Sequence, residues 1–178
     1  GQLAEWNQKL ESRVQEQLAQ LERLGRLKNF FSPQLAEAIV AGGGEELLKP
    51  HRREVTVVFT DLRGFTAFTD AAEPEEVMEM LRAYHAEMGR LILAHKGTLE
   101  HFAGDGMMMF FNDPVPMERP AEHAVRMALA MQQAFGPLAV GWRKRGFDLG
   151  LGIGIATVYA TLGAIGFEGR WDYAVIGS

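Results

Sequence analysis

Two aspartates carry the chemistry that this sequence offers, and each adjoins a run of apolar residues. Asp61 follows Val55–Phe59, five β-branched or aromatic residues typical of a buried strand. Asp105 precedes Gly106 between two short apolar runs, and Asp-Gly in that setting is the strongest short signal for a hairpin turn. The sequence therefore predicts one carboxylate at or just past the end of a strand and another at a hairpin tip. If the hairpin lies beside the strand, both carboxylates meet at one edge of a sheet.

Such a pair predicts a site for a hard divalent cation, Mg²⁺ or Mn²⁺, because these ions prefer oxygen ligands. The chain has no cysteine, and His85 and His95 have no partners at metal-ligand spacing, which disfavours zinc. Gly64 permits close backbone approach, and a helix starting there would point free N–H groups at an anion. A carboxylate beside such a helix start suits a metal-bound phosphate. The alternative is that Asp61 only caps a helix or forms a turn.

Composition limits the classes of protein that this chain can represent. Its 178 residues and 47% hydrophobic content predict one globular domain with an extension. The net charge of −5 argues against a nucleic-acid partner, and the absence of cysteine excludes disulfides. The N-terminus is polar and no apolar run reaches the length of a membrane span. We expect a cytoplasmic location, either alone or as the intracellular part of a larger receptor.

The N-terminal segment, from Gln2 to about Phe31, predicts a helix with a heptad seam. Leucine and valine dominate the seam, with two polar interruptions; its members are Leu3, Asn7, Leu10, Val14, Gln17, Leu21 and Leu24. This pattern favours a parallel dimeric coiled coil. The alternative is a single amphipathic helix packed on its own domain.

Helix boundaries can be predicted from proline and glycine. Ser32-Pro33 predicts a short linker helix that ends at Gly42–Gly44, and Pro74 opens a long helix. Pro120 opens another helix, which Gly136-Pro137 stops near Phe135. The inward-facing residues predicted for this last helix are Ala124, Val125, Ala128, Leu129 and Met131. The basic run 143–145 is predicted to be a solvated face.

Three strands are predicted in the C-terminal part. Leu149–Ile155 alternates apolar residues with glycines, so something must approach the bare face closely. Ala160–Ile165 and Tyr173–Ile176 follow. The order of elements is the ferredoxin-like β-α-β-β-α-β order of an α+β fold, with helices over one face of a mostly antiparallel sheet. The predicted division is a coiled coil over 1–31, a linker over 32–53 and a catalytic domain over 54–178.

Three blocks of sequence now suggest a family. F-T-D-L-R-G-F-T at 59–66, F-A-G-D-G-M-M-M-F-F at 102–111 and R-W-D-Y-A-V-I-G at 170–177 stand in a characteristic order. Over roughly 54–178 the chain resembles the class III nucleotide cyclases, the catalytic domain of adenylate and guanylate cyclases. The resemblance implies conversion of ATP to cyclic AMP and pyrophosphate by two Mg²⁺ or Mn²⁺ ions, at the interface of a homodimer, in a signal-transduction protein.

The resemblance also implies roles for residues. Asp61, Asp105 and the Leu62 carbonyl would hold the two ions. The substrate would contact Gly104 and the backbone of the residues around the helix start, which are Arg63, Gly64, Phe65 and Thr66.

Three departures from the family pattern affect these expectations. His101 stands where a lysine usually reads adenine or a glutamate reads guanine, and Ala174 stands where a side chain usually helps to read the base. GTP is therefore the alternative to ATP. The asparagine and arginine that stabilise the transition state are expected after Ser178, so this chain is expected to be inactive alone. Two other readings are a non-catalytic cyclase-like dimerisation module and a diguanylate cyclase, although the G-G-D/E-E-F hairpin of the latter is absent.

Overall fold

The described part of this computed structural model contains four helices and five strands. It covers residues 1–27, 36, 40–41, 49–167 and 170–177. In chain order the elements are α1 (Gln2–Leu27), β1 (His51–Arg63), α2 (Phe65–Ala71), α3 (Pro74–Ala94), β2 (Thr98–Ala103), β3 (Gly106–Phe111), α4 (Pro120–Lys144), β4 (Gly150–Phe167) and β5 (Arg170–Gly177).

The five strands form one antiparallel sheet in the order β2-β3-β1-β4-β5, with β1 at its centre. The sheet curls until its two edge strands contact each other, and the backbone N–H of Val175 on β5 donates to Glu100 Oε1 on β2 over 3.4 Å. The α+β class and the β-α-β-β-α-β order are confirmed.

The main core lies between the sheet and helices α3 and α4, and we call it the first core cluster. As the apolar spacing predicts, α3 buries one stripe, which contains Met80, Tyr84, Met88, Leu91 and Ile92. Glu73 and Glu76 begin this helix with a reciprocal capping box.

Helix α4 corrects the prediction that Gly136-Pro137 ends it, because it continues to Lys144 with Pro137 inside. Packing explains the continuation: Trp142 is 6% exposed and meets Phe68 edge-to-face at 5.3 Å between ring centroids. A proline inside a helix costs a hydrogen bond, and this burial offsets the loss. The predicted inward positions Val125 and Leu129 are also wrong, since they are 48% and 62% exposed.

The basic run at the end of α4 is only partly a solvated face. The guanidinium of Arg145 lies 4.2 Å from the centre of the Trp142 ring and pairs with Glu76 and Glu79. Arg145 therefore ties the end of α4 to α3.

Strands β1 and β4 are both longer than predicted. β1 runs through Asp61 to Arg63, so Asp61 lies inside the strand rather than past its end. The two strands predicted at Leu149–Ile155 and Ala160–Ile165 are one strand, β4, whose residues from Gly150 to Leu162 pair with the whole length of β1. Between them, Thr157, Val158 and Tyr159 are β-branched or aromatic and no residue is a turn signal, so the pairing continues.

A second core cluster lies on the opposite face of the sheet, which corrects the expectation that only one face is packed. It contains Ala36, Val55, Val57, Phe110, Ala160, Leu162 and Tyr173. Ala36 belongs to the predicted linker, and it is fully buried and helical. Leu24 of α1 packs against the same cluster. Ala36 and Leu24 therefore cover part of the face that α3 and α4 leave open.

Asp113 forms a polar centre beside this second cluster. Its side chain is fully buried, and its carboxylate lies 2.5 Å from His51 Nε2 and 3.1 Å from an Arg53 nitrogen. The Tyr173 hydroxyl donates to its other oxygen. The start of β1, the loop after β3 and strand β5 are thereby joined at one carboxylate.

Helix α1 exposes the apolar stripe that the sequence predicts for a seam: Leu3 is 82% exposed, Leu10 56%, Val14 50% and Leu21 64%. The predicted caps at Ser32-Pro33 and Gly42–Gly44 lie outside the described residues. Among the described helices, none has the length and apolar character needed to cross a membrane.

Candidate metal and nucleotide site

Asp61 lies on an open part of the sheet, next to a glycine that makes room for it. Its partner across the β1–β4 ladder is Gly152. A Cβ atom at Gly152 would stand 2.4 Å from Asp61 Oδ1, closer than side chains ever approach. The predicted close approach to the glycine face of β4 is confirmed, and the approaching group is the carboxylate of Asp61. Among the described residues, no side chain forms a hydrogen bond or ion pair with it, and it is exposed.

Asp105 lies in the β2–β3 turn and reaches back to β1. Its Oδ2 accepts a hydrogen bond from the backbone N–H of Leu62, 3.1 Å away, so the two aspartates meet at neighbouring positions of β1. The turn itself differs from the prediction, because Gly104 and Asp105 form its centre while Gly106 already pairs with Ala103. Gly104 has a φ of +59°, as the first position of a II′ turn requires. Glycine adopts this φ without strain, which explains the shift by one residue.

Tyr84 of α3 contacts β1 on the helix-covered face of the sheet, near the two aspartates. Its hydroxyl lies 3.0 Å from the Thr60 hydroxyl, and its ring is fully buried. Burial raises the pKa of Tyr84 to about 12, and the negative charges of Asp105 and Asp61 add to this increase. Both carboxylates are therefore close enough to raise the pKa of the same phenol, which stays protonated at neutral pH.

The predicted helix start after Gly64 is confirmed. Gly64 has a φ of +80° and precedes α2, and no side chain caps that end of the helix. A Cβ at Gly64 would lie 2.5 Å from the backbone oxygen of Asp148. Glycine is therefore required for two reasons, the left-handed conformation and the space.

The two predicted base-reading positions lie in different environments. The His101 side chain is 63% exposed on β2. Ala174 is 7% exposed on β5. His85, predicted to be structural, lies with Nε2 3.2 Å from the Gly104 carbonyl oxygen and so contacts the turn that carries Asp105.

Sequence reasoning gave no role to Glu100, although its carboxylate lies between β2 and β5. A signal was present, because an acidic residue stands between Leu99 and His101 inside a strand segment.

The donor set fits a hard divalent cation that takes its remaining ligands from substrate or water. Asp61 and Asp105 supply carboxylate oxygens, and the empty space at Gly152 leaves the Asp61 carboxylate room beside the backbone. Within the described ranges, no three His, Cys, Asp or Glu side chains cluster closely enough to form a complete cage. Mg²⁺ is usually bound by one or two protein carboxylates together with the phosphates of its substrate.

Comparison with known proteins identifies the family. Residues 48–178 match the adenylate and guanylate cyclase catalytic domain, so this chain belongs to that family, the class III nucleotide cyclases. Adenylate cyclase 1 of Rhizobium meliloti is 36% identical over 127 residues, which are 71% of this chain and 19% of the relative. An adenylate cyclase of Anabaena cylindrica is 31% identical over 154 residues, 84% of this chain and 28% of the relative. The chain thus spans less than a third of either protein.

Solved structures agree in fold. The adenylyl cyclase CyaB from P. aeruginosa aligns with a TM-score of 0.69 and 37% identity, covering 73% of this chain and 68% of that one. The guanylyl cyclase Cya2 aligns with a TM-score of 0.68 and 36% identity, covering 72% of this chain and 66% of that one. Both solved structures therefore support the cyclase catalytic-domain fold of this chain.

Proposed function

We propose that this domain converts ATP to cyclic AMP and pyrophosphate with the help of two Mg²⁺ or Mn²⁺ ions. The observation that carries the proposal is the pairing of Asp61 with Gly152, beside the hydrogen bond from the Leu62 N–H to Asp105. Two carboxylates converge there on the open face of a sheet that belongs to a cyclase family.

In this proposal Asp61, Asp105 and the carbonyl of Leu62 hold the ions. When bound, the ions lower the pKa of the ribose 3′-hydroxyl and neutralise the charge that develops as pyrophosphate leaves. Backbone N–H groups from Arg63 to Thr66, with Gly104 of the neighbouring turn, contact the phosphates. The left-handed Gly64 supports this arrangement, because it turns the chain so that α2 begins without a side chain in front of its first amides.

ATP is the proposed substrate and GTP is the alternative. The adenylyl and guanylyl cyclases above are almost equally similar to this chain, so identity does not separate the two bases. Ala174 offers no side-chain hydrogen bond, and His101 can either donate or accept. We therefore expect weak discrimination, below roughly a thousandfold, or about 4 kcal/mol.

The proposed working unit is a cytoplasmic homodimer, joined through α1 and through the catalytic domain. The exposed apolar stripe of α1 supports the first contact, since isolated apolar helix faces are covered by a partner or by the domain itself.

Metal-dependent nucleotide binding tests the proposed site. Mn²⁺ and a nonhydrolysable ATP or GTP analogue are titrated into wild type, Asp61→Ala and Asp70→Ala. Asp70 is an exposed aspartate on α2 and serves as the matched control. We expect Asp61→Ala to weaken binding at least tenfold and Asp70→Ala to leave it unchanged, because only Asp61 adjoins the Leu62–Asp105 contact. Equal affinity in all three would contradict the site.

Product analysis separates the enzyme from a non-catalytic cyclase-like module. The chain is extended past Ser178, so that the expected asparagine and arginine are present, and is incubated with ATP or GTP and Mn²⁺. Cyclic nucleotide and pyrophosphate are then measured by mass spectrometry. Both products in equal amounts support the lyase. Metal-dependent binding without either product favours the binding module.

A further inference from the structure

Glu100 is a largely buried acidic residue of β2. It lies in β2 at a register irregularity between Leu99 and His101, so it is the extra residue of a bulge. Its side chain is only 15% exposed. Burying a carboxylate costs free energy unless it is paired, and bulges beside functional sites often re-aim a side chain.

The Glu100 carboxylate joins the two strands that carry the base-reading positions. Oε1 accepts from the N–H of Val175, the residue after Ala174, over 3.4 Å. Oε2 lies 3.8 Å from Nδ1 of His101. One carboxylate therefore touches β5 beside Ala174 and approaches the imidazole of His101 on β2.

Of the two neutral forms of the imidazole, a carboxylate near Nδ1 favours the one that carries its proton on that nitrogen. The other nitrogen, Nε2, is then an acceptor. The 6-amino group of adenine is a donor, whereas the 6-oxygen of guanine is an acceptor. An imidazole held in this form can hydrogen-bond adenine and would face guanine with two opposed acceptors.

We propose that Glu100 is a positioning residue for base recognition, which holds His101 with its proton on Nδ1 so that Nε2 accepts from adenine. His101, held in this form by Glu100, then provides the hydrogen-bond acceptor that the Ala174 side chain lacks. This inference rests on the proposed function, because it takes the base to lie against His101.

Glu100→Gln tests the proposal with little change in shape. Its amide oxygen can still accept from Val175 N–H, while its NH₂ group favours the opposite tautomer of His101. The matched control is Glu122→Gln, a 39% exposed glutamate on α4 that pairs with arginines. Affinities for nonhydrolysable ATP and GTP analogues are measured with Mn²⁺, and thermal unfolding checks the fold of each variant.

We expect wild type and Glu122→Gln to prefer the ATP analogue about tenfold, or 1.4 kcal/mol, and Glu100→Gln to reduce the preference to threefold or less. Nitrogen NMR of His101 at pH 7.5, assigned with His101→Ala, should show the proton on Nδ1 in wild type and a changed tautomer in Glu100→Gln. A merely structural role for Glu100 would not move this signal.

Two results would overturn the inference: an unchanged ATP to GTP ratio in Glu100→Gln, or a wild-type His101 that carries its proton on Nε2. The proposed function fails differently, through wild-type binding that Asp61→Ala does not weaken. The NMR measurement needs no nucleotide, so it shows even then whether Glu100 sets the tautomer of His101.

Discussion

Replacing Gly152 by alanine should disable the metal site while leaving the fold intact. The new Cβ would stand 2.4 Å from Asp61 Oδ1, whereas ordinary contact begins at 3.4 Å. The carboxylate must therefore move by about 1 Å, and it can do so cheaply because it is exposed. Mg²⁺ demands near-ideal ligand geometry, and functional groups tolerate only about 0.5 Å of displacement.

The magnitude follows from the role of Gly152 as a neighbour of a proposed ligand. Changes to such neighbours typically cost about 10–100-fold in metal affinity, which corresponds to about 1.4–2.8 kcal/mol. Stability should not fall, since alanine in place of glycine in a strand gains about 0.5–1 kcal/mol.

Gly154→Ala is the matched control, because Gly154 lies two residues further along β4 and a Cβ there meets nothing within 4 Å. Calorimetric titration of Mn²⁺ with the ATP analogue should show a loss in Gly152→Ala and none in Gly154→Ala, with similar unfolding temperatures. Wild-type affinity in Gly152→Ala would refute the reasoning, and an equal loss in both variants would show that the effect is general to the strand.

The remaining predictions concern stability and assembly. Gly64→Ala should destabilise the fold by at least about 1–2 kcal/mol in urea unfolding, because a non-glycine residue is strained at a φ of +80°. Asp113→Asn should cost about 2–3 kcal/mol in the same assay, since the buried carboxylate that pairs with Arg53 and faces the His51 ring loses its charge. The pKa of Tyr84 is raised from 10.0 to about 12, so its contribution to stability is complete below pH 10 and is lost as the pH rises towards 12; Tyr84→Phe should flatten this decline in unfolding measured from pH 9 to 12. Val14→Glu should shift a dimer towards monomer in analytical ultracentrifugation while Ser12→Glu does not, and a wild-type monomer would contradict the coiled coil.

Periodicity and turn chemistry predicted most of the fold. The apolar stripe of α3 and the strand that leads to Asp61 carry local signals that tertiary structure did not override. The end of α4 could not be predicted, because Pro137 is a local stop signal and the burial of Trp142 is a distant effect. The continuity of β4 likewise depends on pairing with β1, which no local pattern reveals.

The site could be predicted as residue types but not as contacts. The glycines of β4 predicted that another group lies close to that face of the strand. The identity of this group, the Asp61 carboxylate, depends on the β1–β4 register and could not be predicted. The contact of Glu100 with Val175 could not be predicted, because it forms only when the sheet curls and its edges meet, whereas His101 is the next residue in the chain.

The register of β1 explains why a strand so deeply buried can present a carboxylate. Leu62 faces the first core cluster, and Val57 faces the second. Asp61 lies on the same face of the strand as Val57 but outside the second cluster, where it is exposed. A slip of one residue would move Asp61 to the helix side, where Tyr84 lies, and would bury its charge. Two polar anchors oppose such a slip. The Thr60–Tyr84 hydrogen bond holds one end of the strand, and the ion pairs of His51 and Arg53 with Asp113 hold the other. A slipped strand would leave Asp113 buried without its cations, at a cost of several kcal/mol. These buried polar contacts therefore fix the position of Asp61, although none of them lies in the site.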